Sequence, residues 1–119
     1  MGDFQKLNVW KRSKDLAVYL YNITDKGVLS KDFGLRDQIR RAAVSISSNI
    51  AEGDELGSNK QSIRFFRIAK GSTAEVLNQA IIAREIGYLS EDQTKYIDKE
   101  CTSISSMLTK LIKVRKENE

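Results

Sequence analysis

Apolar residues return every three or four positions along most of this chain. Between about residues 7 and 25, Val9, Ser13, Leu16, Leu20 and Ile23 step by four and three, and Trp10, Ala17, Tyr21 and Thr24 widen the stripe. This is the period of a helix that buries one face, with Lys11, Lys14 and Asp15 turned outward. Gly27 follows as a terminator. Val28 to Gly34 reads as a connector whose Leu29 and Phe33 fold back onto the core. A second helix is predicted over about 35–53, where Ile39, Ala43, Ile46 and Ile50 keep the same steps. Its serines and β-branched residues lower helix propensity, so packing must hold it, and a strand over Val44 to Ile50 is the competing assignment. Gly53 to Gly57 interrupts the pattern.

Ser58 is a good N-cap for a third helix over about 59–86. Phe65, Ala69, Ser72, Val76, Ala80 and Ala83 form one of its stripes; Phe66, Thr73, Leu77 and Ile81 lie beside it. Gly71 sits inside this helix at a cost of about 1 kcal/mol against alanine, which a close helix contact would explain. Gly87 then ends the helix in the left-handed conformation. Ser90 to Gln93 is a capping box. It opens a fourth helix, over about 91–116, whose seam is Ile97, Cys101, Ile104, Leu108 and Leu111. Four amphipathic helices with short connections predict an all-α fold: an antiparallel up-down four-helix bundle in a single domain spanning 1–119.

Composition narrows the chemistry. The chain has no proline and seven glycines, as long helices require. It has no histidine and one cysteine. The usual general base and commonest metal ligand are therefore missing, and a site of several thiolates is excluded. Glu52 and Glu75 alone make a weak metal pair, and no phosphate-binding glycine loop or nucleophile elbow is present. We expect no enzyme activity, no cofactor and no metal. Cys101, on the core seam, reads as a small buried hydrophobe. Trp10 and Tyr21 read as packing residues before they read as a platform for stacked bases. With no apolar run of membrane-spanning length, the expectation is a cytoplasmic protein without a membrane partner.

Two polar patterns remain. Gln38, Arg41, Ser45, Asn49 and Glu52 share one face of the second helix, and Ser72, Glu75 and Gln79 share one face of the third. If the faces meet, Glu75 or Glu52 could pair with Arg41. The stripe then either fixes helix register or forms a polar pocket or subunit contact. The second pattern is cationic. Lys60, Arg64 and Arg67 follow at i, i+4 and i+7 with Lys70 nearby, and residues 58 to 70 carry four cations and no acid. Arg36 and Arg40 lie one turn apart on the second helix. Net charge is +4. Clustered cations favour a phosphate backbone, with salt-dependent affinity; the alternative is a solvated helix face. No base-reading module is present.

The run Gln38-Ile-Arg-Arg-Ala-Ala-Val-Ser-Ile-Ser-Ser-Asn-Ile-Ala-Glu-Gly53 resembles the signature of the bacterial four-helix-bundle proteins first noted in intervening sequences of large-subunit ribosomal RNA genes. Phe4-x-x-Leu7-x-Val9-Trp10, Phe33-Gly34-Leu35, the stretch from Phe66 to Glu75, and Ile86-Gly87-Tyr88-Leu89 fit the same pattern, so that the likeness spans about residues 4 to 112. The family usually carries a proline in the first connector and another where Ser47 stands; this chain has neither, which bears on the loop rather than the fold. The resemblance assigns no catalytic residue. A related branch, the accessory proteins of diversity-generating retroelements, forms five-membered rings that bind nucleic acid and a reverse transcriptase. It thus implies a homo-oligomer, with a pentamer favoured, and an RNA or DNA partner or a protein partner such as a reverse transcriptase. The expected nucleic-acid contacts are Arg36, Arg40, Lys60, Arg64, Arg67 and Lys70. The other function considered is an assembly scaffold with no nucleic-acid role.

Overall fold

A computed structural model describes residues 3–56 and 58–118. Four helices carry the chain: α1 (Asn8–Thr24), α2 (Phe33–Glu55), α3 (Asn59–Glu85) and α4 (Glu91–Glu117). Short 3-10 turns, Phe4–Lys6 and Val28–Ser30, precede α1 and α2. Each helix packs antiparallel to the next and α4 closes against α1, giving an up-down bundle of 47 × 21 × 21 Å. The competing strand at Val44 to Ile50 is absent; those residues are helical. Among the described residues, no helix is long and apolar enough to cross a membrane.

The helix ends follow local chemistry. Asp32 accepts from the Leu35 amide at the start of α2, and Ser58 accepts from the Gln61 amide at the start of α3. At α4, Ser90 and Gln93 each accept from the other's amide, which is the reciprocal capping box. Gly87 takes φ +85°; its amide donates to the Arg84 carbonyl at 2.9 Å, and the Tyr88 amide donates to the Ala83 carbonyl at 2.8 Å. These two bonds are the Schellman closure of α3. Gly27, at φ +67°, turns the chain out of α1.

Core positions largely follow the predicted seams, with informative exceptions. Leu16, Leu20, Ile39, Ile46, Ile50, Val76, Ile97, Ile104 and Leu108 are fully buried. In α3 the deep aromatic is Phe66, whereas Phe65 is half-buried. Leu29 is buried as expected, but Phe33 is 63% exposed and lies under the Arg36 guanidinium rather than on the core. Ile112 is buried where Leu111 was predicted to be.

The close helix contact expected at Gly71 falls at Gly53 instead. Gly53 does not break the helix: α2 runs on to Glu55, and of the predicted interruption Gly57 lies outside the described residues. A Cβ on Gly53 would stand 2.6 Å from Phe66 Cε1 and 3.2 Å from Phe65 Cβ, so this is the close helix contact. Gly71 is exposed, and a Cβ there would meet nothing within 4 Å. Cys101 is buried, and desolvation of the thiolate pushes its pKa up to about 12. At neutral pH it is a protonated, packed side chain rather than a nucleophile.

Candidate nucleic-acid interface

Packing of α2 against α3 decides where the predicted cations stand. The Ser45 and Ser72 hydroxyls share a 2.8 Å hydrogen bond, Gln79 Nε2 donates to Gln38 Oε1 at 3.4 Å, and Ser62 Oγ donates to the Gly53 carbonyl at 2.6 Å. These contacts set the first turns of α3 beside the last turns of α2. Lys60, Arg64 and Arg67 therefore occupy one end of the rod, and Arg36 and Arg40 lie towards the other. Most of the length of α2 separates the extremes, roughly 30 Å at about 1.5 Å per residue. The six cations do not form one face.

Lys60, Arg64 and Arg67 are exposed, as the i, i+4, i+7 spacing requires. They line one open groove with Ser58, Gln61, Ile63 and Ile68, and α4 contributes Lys116. None of the four cations takes part in an ion pair among the described residues. The hydroxyl of Ser58 and the amide of Gln61 add neutral hydrogen-bonding groups at the rim. Lys116 joins this site only through the fold. In sequence it belongs to the basic last turns of α4, and antiparallel packing brings those turns beside the start of α3.

The other three predicted contacts are otherwise engaged. Lys70 is half-buried, and its Nζ donates to Thr109 Oγ1 of α4 at 2.7 Å. Arg36 Nε donates to Asp37 at 2.9 Å, its Nη1 donates to the Ser30 carbonyl at 3.0 Å, and its guanidinium lies 4.6 Å from the Phe33 ring. Arg40 Nε donates to Thr24 Oγ1 at 2.8 Å, and its Nη2 donates to the Tyr21 carbonyl at 3.3 Å. The same guanidinium covers the Tyr21 ring at 4.5 Å. Arg40 thus caps the C-terminal end of α1, where carbonyls lack helical partners and the dipole favours a cation. Tyr21 is accordingly no open stacking platform, and Trp10 packs edge-on against Phe4 at 5.1 Å.

The polar stripe forms a connected structure. Asn49 Nδ2 donates to the Ser45 carbonyl at 2.8 Å and to Ser45 Oγ at 3.0 Å, continuing the Ser45–Ser72 link. Beside this chain, Gln38, Arg41, Ala42, Ser45, Glu75 and Gln79 line a second groove of about 230 Å³ between α2 and α3. Arg41 takes up neither of the two pairings open to it: among the described residues it pairs with neither Glu75 nor Glu52. Glu52 is exposed and stands several turns from the level of Glu75, because Glu75 lies between Ser72 and Gln79, which face Ser45 and Gln38. Among the described residues, no three His, Cys, Asp or Glu side chains are grouped to hold a metal ion.

Two ion pairs that the periodicity did not foretell tie distant helices. Arg12 grips Glu100 through Nε at 2.9 Å and Nη2 at 3.3 Å, joining α1 to α4. That hydrogen bond, then the charge of Glu100, raises the Arg12 pKa further above its ordinary value. Arg115 donates to Asp54 at 3.0 Å and lies 5.4 Å from the Phe66 ring centroid. Both are long-range partnerships that local spacing cannot encode.

Comparison with known proteins places this arrangement. No curated protein matches the chain. Among solved structures, a crystallised protein of unknown function from the S23 ribosomal protein family of Bacteroides thetaiotaomicron is similar, with 26% identity and a TM-score of 0.82. The match covers 88% of this chain and 98% of that one. Residues 5–110 match the 23S rRNA-intervening sequence proteins, a span that takes in α1 to α3 whole and most of α4. The chain belongs to the 23S rRNA-intervening sequence protein family.

Proposed function

We propose that this protein is a non-enzymatic, oligomeric bundle that binds the backbone of RNA or DNA through Lys60, Arg64, Arg67 and Lys116. The observation that carries this reading is the grouping of four cations in one groove with no acidic partner. Unpaired arginines and lysines displace condensed counterions from the polyanion without first breaking an internal salt bridge, so their attraction is not already spent. Arg36, Arg40 and Lys70 serve the fold in this reading. The naming of the family after rRNA intervening sequences supports a nucleic-acid setting, and hence the cytoplasm.

Binding of a fluorescent RNA or DNA duplex tests the reading. Four phosphate contacts predict a slope of about −3 to −4 in log affinity against log salt, or roughly a hundredfold loss between about 50 and 200 mM. A flat salt profile, or no binding at low salt, rejects it.

Self-association, with five copies favoured, is supported by the apolar residues that one bundle leaves outside: Val44, Ile68, Ile81, Ile82 and Ile86 are 39–52% exposed. Light scattering should report a multiple of the 13.5 kDa chain. A monomer at micromolar concentration contradicts this part. The same isoleucines favour the second reading, an assembly module for a protein partner such as a reverse transcriptase. That reading requires the partner to bind equally well after the basic groove is neutralised.

A further inference from the structure

The groove between α2 and α3 contains unsatisfied polar chemistry that the basic groove does not use. Gln79 is nine-tenths buried, and its Oε1 has no hydrogen-bond partner. Its Nε2 reaches only Gln38 Oε1, at a long 3.4 Å, and Gln38 is itself exposed. A buried acceptor left alone carries its full desolvation cost. Arg41 and Glu75 line the same groove with opposite charges, and neither forms an ion pair among the described residues. Ser45 also lines this groove, its hydroxyl sharing a 2.8 Å hydrogen bond with that of Ser72 in which either oxygen can donate.

This inventory has the donor–acceptor layout of a small zwitterion's complement. Arg41 offers two parallel N–H groups to a carboxylate. Glu75 and Gln79 Oε1 offer acceptors to an ammonium group. The size agrees: about 230 Å³ is below the roughly 300–1,000 Å³ that drug-sized ligands occupy. Ala42 is the one apolar residue of the lining, so the groove has no wall for an aromatic ring or an acyl chain. We propose that the α2/α3 groove binds a free α-amino acid with a small or polar side chain, its carboxylate on Arg41 and its ammonium between Glu75 and Gln79. The exposed Gln38 amide moves aside to admit it.

The test is an NMR titration of the isotope-labelled protein with glycine, serine, glutamine and phenylalanine separately, each to about 20 mM, which saturates a site of roughly 1 mM affinity. Shifts from at least one of the first three should converge on the Ser45 and Ser72 amides and the side-chain amides of Gln38, Asn49 and Gln79. Arg41→Ala and Glu75→Gln should each weaken that binding at least tenfold. Arg41 and Glu75 are exposed, so both variants should retain the helical circular dichroism of the parent. Both should also retain nucleic-acid affinity, which separates failure here from failure of the basic groove. The proposal is overturned if none of the three shifts these signals, if the two substitutions leave the affinity unchanged, or if phenylalanine binds the groove in preference to them.

Discussion

Gly53→Ala destabilises the bundle by up to about 2 kcal/mol, yet becomes neutral or stabilising once Phe66 is cut back to alanine. The added methyl would stand 2.6 Å from Phe66 Cε1 and 2.9 Å from Cδ1, and the fully buried ring has no free side to turn to. Overpacking of this kind costs about 1–3 kcal/mol. Replacing glycine inside a helix returns about 1 kcal/mol, so the net loss is smaller than the clash. Phe66→Ala alone opens a cavity and should cost about 3–5 kcal/mol, the largest single loss expected in this core. In that background the obstruction is gone and the helix gain remains, reduced by the 3.2 Å approach to Phe65 Cβ. Urea unfolding of the two single variants and the double variant gives the coupling, expected at about 1–3 kcal/mol. Additive losses would mean that Gly53 and Phe66 do not share the space described.

Reversing Arg64 and Arg67 together to glutamate removes nucleic-acid binding while helicity and solution mass stay unchanged. Two of the four groove cations become repulsive, so the salt slope should fall by at least about 2 and affinity by roughly a hundredfold or more near 100 mM salt. Both side chains are exposed and make no ion pair among the described residues, so the fold loses no salt bridge there. Arg40→Ala is the matched control. It removes the contacts to Thr24 and Tyr21 that cap α1, so stability should fall while affinity for the duplex stays within about twofold. Normal binding by the double reversal would disprove the groove. Weak binding by the Arg40 variant with intact structure would return that arginine to the interface.

Periodicity revealed the architecture because the solvent-averse face of each helix repeats locally. Capping residues were legible for the same reason: Ser58 and the Ser90–Gln93 box act on amides two or three residues away. What stayed hidden was the identity of each neighbour. Spacing alone makes Gly53 and Gly71 equivalent, and only the opposing helix tells that one meets Phe66 and the other meets solvent. Likewise Arg36 and Arg40 carry the same spacing signal as Lys60 and Arg64. Their difference lies in the carbonyls and rings at the end of α1, which come within reach only when the helices pack. The α2/α3 polar stripe was visible as a shared face, but Gln79 as its buried, unsatisfied member and Lys116 as part of the basic groove required the assembled bundle.

The last turns of α4 are pinned, by Arg115 to Asp54 and by the Asn118 carbonyl accepting from Asn59. These contacts hold Lys116 beside the start of α3. An acidic sequence fused close to that end of α4 would sit over the cations and compete with a polyanion for them, so quantitative work on polyanions calls for a fusion placed elsewhere or a cleaved protein.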